Sequence, residues 1–137
     1  MCVFCDIVSG AISADVVSED DETLAFLDHR PIFFGHTLLI PKAHHETLVD
    51  LPEDLVGPLF LAARTLAKVV PEVMGAEGSF VAMNNKVSQS VPHLHVHVVP
   101  RNRKDGLRGF FWPRRKYDSD DQRAAVAEAI RSALTDA

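Results

Sequence analysis

The apolar positions change their period several times along the chain, and each change marks an element. Val16 to Glu19 and Thr23 to Asp28 are short β-forming runs on either side of the acidic turn Asp20-Asp21-Glu22, the pattern of two strands joined by a tight connection. Gly35 to Pro41 and Gly78 to Asn85 read as two further strands. Between them Leu55, Leu59, Ala62, Leu66, Val69 and Val73 recur at three- and four-residue steps, so the main helix is placed within Leu51 to Met74. Pro52 suits its first turn. Pro58 and Pro71 oppose a continuous helix, since an interior proline removes a hydrogen bond and crowds the preceding turn; regular helix is expected from near Pro58, bending or stopping near Val70. Asp6 to Gly10 reads as a helical turn closed by glycine. Ser119, with Gln122 three residues on and Asp120 and Asp121 suited to the positive helix end, opens a C-terminal amphipathic helix through Val126, Ile130, Ala133 and Leu134. Strands on both sides of one long helix, with short connections, define an α+β class built on an antiparallel sheet.

From Val91 to Val99 the period is two. His93, His95 and His97 alternate with Leu94, Val96 and Val98, which predicts a half-buried strand with three imidazoles on one face and aliphatic side chains on the other, bracketed by Pro92 and Pro100. Seven histidines in 137 residues seldom fall this way by composition alone. Near neutral pH an imidazole can attack phosphorus, donate a proton or bind a metal. A single strand histidine is usually a surface or hydrogen-bonded core residue, but three on one face make that the weaker interpretation. A His-x-His pair also suits a metal centre. Gln89 and Ser90 lie just upstream, hydrogen-bond donors suited to an anion, and the run holds no carboxylate. The surroundings therefore favour an oxyanion or phosphate in front of the histidines.

Composition narrows the class. At 137 residues and 47% hydrophobic, the chain suits one globular domain, 1–137, without internal repeats or low-complexity tracts. No apolar run has the length of a membrane span, and the N-terminus lacks the features of a signal peptide, so a cytoplasmic protein with no membrane partner is expected. The formal net charge is −5, yet seven of the fourteen Lys and Arg lie within 101–116. That basic segment is either a local polyanion site or a solvated loop, and the acidic whole argues against general nucleic-acid binding. Gly106 to Arg114 is also aromatic, and can pack on the core, cover a base or meet a partner subunit. Cys2 and Cys5 form a C-x-x-C with three readings: a redox pair, two inert thiols, or half of a zinc site. The first lacks a preceding strand and a thioredoxin-like context, and the third needs two further ligands, which histidines from elsewhere would supply.

His93-Leu94-His95-Val96-His97-Val98-Val99, with Gln89-Ser90-Val91 before it and Pro100-Arg101 after it, resembles the histidine triad (HIT) family of nucleotide hydrolases and transferases. The likeness runs from Cys2 to about Arg101, leaving 102–137 as a basic and aromatic loop and a C-terminal helix. It implies a HIT-like antiparallel sheet, a homodimer, and nucleotidyl transfer to water from the α-phosphate of a nucleoside 5′-phosphoryl compound, such as a phosphoramidate or dinucleoside polyphosphate. It makes His95 the nucleophile, with His97 and His36 orienting their neighbours and Gln89 and Ser90 stabilising phosphate charge. Asp28, otherwise a turn residue, takes the place of the ribose-hydroxyl acceptor. Asn84 or Asn85 would reach toward phosphate or ribose, although the loop Asn85-Lys86-Val87-Ser88-Gln89 is shorter than usual in the family and has no glycine. The resemblance also implies structural zinc on Cys2, Cys5, His44 (in Pro41-Lys42-Ala43-His44) and His93; His45 does not match the spacing. Two other functions stay open: a non-catalytic nucleotide-binding module, and a hydrolase whose triad holds a metal.

Overall fold

The computed structural model describes residues 1–108 and 113–135. The expected aromatic loop falls partly on 109–112, outside the described residues. Contacts divide the chain into Met1–Asp105 and Gly106–Ala137.

The first unit opens with helix α1 (Val3–Ser9), closed by Gly10 in the left-handed conformation at φ 84°. Strands β1 (Val16–Glu19), β2 (Thr23–Leu27) and β3 (Thr37–Pro41) follow, then helix α2 (Glu53–Met74), β4 (Gly78–Ala82) and β5 (Val96–Arg101). All pairings are antiparallel, in the order β1-β2-β3-β5-β4. The α+β class read from the sequence is the observed one. No helix among the described residues is long and apolar enough to cross a membrane.

Alternation along the central strands feeds two apolar clusters. Ala25, Leu39, Val96 and Val98 join Leu59, Ala63, Leu66 and Val70 of α2 on one face. Leu24, Phe26, Leu38 and Ile40 join Phe4 of α1 on the other. Burial on both faces is what makes β2 and β3 almost wholly apolar.

Four expectations are corrected. The histidine strand does not run from Val91 to Val99: β5 starts at Val96, where its pairing with β3 ends opposite Leu39, one residue beyond the end of β4 opposite His97. Upstream, His93 N–H turns back to Val91 O at 2.8 Å and Leu94 N–H donates to His45 O at 2.7 Å, so this backbone bonds to loops. Pro100 lies inside β5, opposite Ser79; β3 stops opposite Val98, so Pro100 has a strand on one side only and is tolerated as an edge residue. Helix α2 is continuous through Pro58 and Pro71, and starts at Glu53. Each proline forfeits one backbone hydrogen bond, a cost offset by the packing of the residues beside it, with Leu59, Val70 and Pro71 all buried. Its buried line is also rotated from the expected stripe: Ala63 and Val70 face the sheet, while Val69 is exposed and Val73 is 76% exposed. Leu59 to Ala63 is apolar all round, so the sequence offers more than one stripe and the sheet selects among them.

In the second unit, helix α3 (Asp120–Thr135) begins as expected, with Gln122 N–H donating to Ser119 Oγ at 3.0 Å. Val126, Ile130 and Leu134 are all exposed.

Leu59→Ala should lower unfolding free energy by about 2–5 kcal/mol, whereas Val73→Ala should stay within about 0.5 kcal/mol. Urea denaturation of both variants checks the helix register; equal losses would contradict it.

Candidate active site

The link between β2 and β3 sets the first part of the site. Asp28 N–H donates to His36 O at 2.9 Å, closing the connection. Gly35 makes the turn at φ 95°, a conformation strained for any other residue, and a Cβ there would come within 2.6 Å of Met74 Cγ and push that side chain aside. His36 is thereby fixed at the foot of β3, and the register that sets Leu38 opposite His97 brings the two rings together.

Hydrogen-bond donors fix the tautomers, because an amide N–H can only donate and a carbonyl can only accept. Ile32 N–H lies 3.1 Å from His36 Nδ1, which must accept. Neutral His36 therefore carries its proton on Nε2 and donates to His97 Nδ1 at 2.9 Å. His97 in turn carries its proton on Nε2. His95 is set independently: its Nδ1–H donates to His93 O at 2.8 Å, leaving a lone pair on Nε2. The His95 and His97 rings are 5.0 Å apart, and Phe4 of α1 lies edge-on to His95 at 5.2 Å and to His93 at 5.8 Å. Burial holds His97 down at about 4, helped by the charges that His95 and His36 would carry and opposed by Asp28. Burial also lowers His36, against the raising effect of Asp28, and lowers His93.

The second part lies beneath His93. Its Nε2–H donates to Pro41 O at 2.8 Å, so Nδ1 presents a lone pair to the thiols. Cys2 Sγ is 3.5 Å and Cys5 Sγ 3.6 Å from that atom, and Cys5 Sγ is 3.4 Å from His44 Nδ1. All four ligand atoms lie within 4.8 Å of one another. A tetrahedral zinc with bonds of about 2.3 Å to sulfur and about 2.0 Å to nitrogen requires S···N separations of about 3.5 Å, so the set fits. Burial pushes the Cys5 thiol up, and Cys2 pushes it further, so the paired thiolates need a cation. His45 is not one of the four. Asp28, His36 and His97 also approach one another within 4.8 Å. There the tautomers argue against a cation, since His36 Nε2 carries the proton; the cluster is a hydrogen-bond relay.

The HIT domain family model matches residues 9–104. This chain belongs to the HIT family. It is 35% identical to protein hit of Bacillus subtilis over 97% of this chain and 91% of the relative. It is 34% identical to the adenosine 5′-monophosphoramidase HNT1 of Candida albicans, over 87% of this chain and 82% of the relative. The crystal structure of a Zn-bound histidine triad family protein from Mycobacterium smegmatis superposes with a TM-score of 0.74 at 38% identity, covering 96% of each chain.

Not every residue expected at the HIT site faces the histidines as a free group. Asn85 Oδ1 accepts from Leu48 N–H at 2.8 Å, and Asn84 Nδ2 donates to Ser88 O at 3.2 Å. Gln89 Nε2 donates to Glu46 O at 2.6 Å, while its Oε1 accepts from Lys86 N–H at 2.8 Å. Ser90 is exposed. Asp28 Oδ1 accepts from Arg30 N–H at 2.9 Å, and Oδ2 stands 3.7 Å from His36 Nε2. The glycine-free loop reaches its shape through Lys86 and Ser88, at φ 69° and 60°, strain that residue types did not reveal. Phe4 was missed as well, although Phe4, Ile7 and Val8 at helical spacing gave the signal.

A base lowered by burial favours folding while neutral. His97 thus contributes stability above its unfolded value of about 6.5 that is lost as pH falls from there toward 4. Urea unfolding at pH 7.5, 6 and 5 should show this loss, and His97→Gln should show a shallower one. Identical slopes would contradict the assignment.

Proposed function

We propose that the protein is a nucleotidyl hydrolase/transferase acting on the α-phosphate of nucleoside 5′-phosphoryl compounds, phosphoramidates or dinucleoside polyphosphates, by way of a covalent nucleotidyl-His95. The observation that carries this is the His95 Nδ1–H bond to His93 O, which keeps the Nε2 lone pair available while the ring is neutral. His95 Nε2 forms a bond to phosphorus as the bond to the leaving group breaks. Water then attacks phosphorus, the P–N bond breaks, and nucleoside monophosphate leaves. The relative named as an adenosine 5′-monophosphoramidase supports a reaction of this class.

In this reading His97 donates its Nε2–H to a phosphate oxygen; its hydrogen bond to His36 and its 5.0 Å separation from the His95 ring support that role. Ser90, the remaining N–H of Gln89 and backbone amides of its loop are the other donors assigned to phosphate. Asp28 retains Oδ2 for ribose hydroxyls. Asn84 and Asn85 act by shaping the loop. Zinc on Cys2, Cys5, His44 and His93 is structural, because four protein ligands close its coordination; bound there it supplies a fixed cross-link between α1 and the triad. The protein is proposed to work as a homodimer, in keeping with the exposed apolar residues Leu61, Val69 and Val73 along one stripe of α2.

Metal analysis of purified protein should give about one zinc per chain, and Cys5→Ser should lose the metal and melt at lower temperature. Metal-free wild type, unaltered by Cys5→Ser, would end the zinc assignment and leave the catalytic one standing.

Reaction with radiolabelled nucleotide substrate, stopped without acid because a phosphoramidate bond is acid-labile, should leave label on the peptide that contains His95. His95→Ala should abolish that label and reduce turnover by several orders of magnitude while still binding nucleotide. Near wild-type turnover in His95→Ala would overturn the mechanism. Nucleotide binding by wild type without turnover on any substrate would make the protein a binding module. Adenosine and guanosine phosphoramidates, dinucleoside polyphosphates and nucleotidyl sulfates form the substrate panel.

A further inference from the structure

Helix α1 has seven residues, too few to be stable alone in water. Cys2 is its N-cap, Cys5 lies in its first turn, and between them Phe4, 6% exposed, stands against Phe26, His93 and His95. The same two thiols face His93 Nδ1, whose own carbonyl holds His95 Nδ1–H. One short helix therefore joins the sulfur chemistry to the nucleophile along two routes, through the Phe4 ring and through His93. Both cysteines are only partly buried, so a small oxidant can reach them.

We propose that Cys2 and Cys5 form a reversible oxidation site, at which hydrogen peroxide converts the two metal-binding thiolates to a disulfide and withdraws Phe4 and His93 from the positions that hold His95. This rests on reading these residues as a zinc site. The two thiolates give two electrons to peroxide; the S–S bond forms, the O–O bond breaks, and with two protons from solvent two waters leave. A disulfide sulfur no longer serves as a thiolate ligand, so bridge and metal exclude one another. Cys2 sits at the extended N-cap and its sulfur lies within 4.8 Å of that of Cys5, whereas a disulfide needs about 2.05 Å between sulfurs. Bridging therefore tightens the turn that carries Phe4. A thioredoxin-like framework is not required, because the pair is modified and does not catalyse thiol exchange.

The test titrates zinc-loaded, reduced wild-type protein with hydrogen peroxide. Released zinc is read with a chromogenic chelator, the bridge by a mass loss of about 2 Da and peptide mapping, and the site by ring resonances of ¹⁵N-histidine protein. Zinc release and the Cys2–Cys5 bridge should rise together, the His93 and His95 resonances should shift, and turnover should fall about tenfold or more. Dithiothreitol with added zinc should reverse all of these. The proposal is overturned if the reduced protein holds no zinc, if the metal stays bound after the bridge forms, if the thiols pass to sulfinic acid without bridging, or if His95 is unmoved after metal loss. Absence of turnover in the reduced, zinc-loaded protein would count against the proposed function alone, because the zinc, mass and resonance measurements still decide this inference.

Discussion

The 2.8 Å hydrogen bond from His95 Nδ1–H to His93 O is the contact on which the site depends. An imidazole exposed to water exchanges tautomers freely, and one with its lone pair on the wrong nitrogen cannot attack. Here a main-chain carbonyl makes the choice, and it exists because His93 and His95 lie outside the regular ladder of β5. In a paired strand that carbonyl would face a neighbouring backbone. The departure of this backbone from the ladder before Val96 is thus part of the site, since it leaves free the carbonyl that orients His95, the proposed nucleophile.

Around this contact the fold is arranged in two supports with little overlap. One is the relay from Ile32 N–H through His36 to His97, set by the β3–β5 register and by the tight passage of Gly35 past Met74. It is buried and dependent on direction, and burial holds His97 down at about 4. The other is the Cys2, Cys5, His44 and His93 set, which ties α1 and the loop after β3 to the residue that holds His95. The two meet at the His95–His97 pair, where Phe4 closes one side.

Much of this was legible in the sequence, for physical reasons. Alternation of His and aliphatic residues gave the side of the sheet each would occupy, because period-two patterning survives even where the ladder stops; it could not give the stopping point, which is set by where pairing with β3 and β4 ends. The long helix was legible, but its proline breaks were overestimated, since tertiary burial outweighs a local preference. Its buried stripe was ambiguous because Leu59 to Ala63 is apolar on every side. The family resemblance implied the Cys2, Cys5, His44 and His93 set, and the fold brings those four side chains together. Gln89, Asn84 and Asn85 were expected at the site, yet they bond to Glu46, Ser88 and Leu48 around the strained turn at Lys86 and Ser88, which no glycine announces.

The most direct measurement is the tautomer of His95 in the resting protein, read from two-bond ¹H–¹⁵N correlations of its ring at neutral pH. The account requires a protonated Nδ1 and an unprotonated Nε2. A His95 ring with its proton on Nε2, or one exchanging rapidly between both nitrogens, would contradict it.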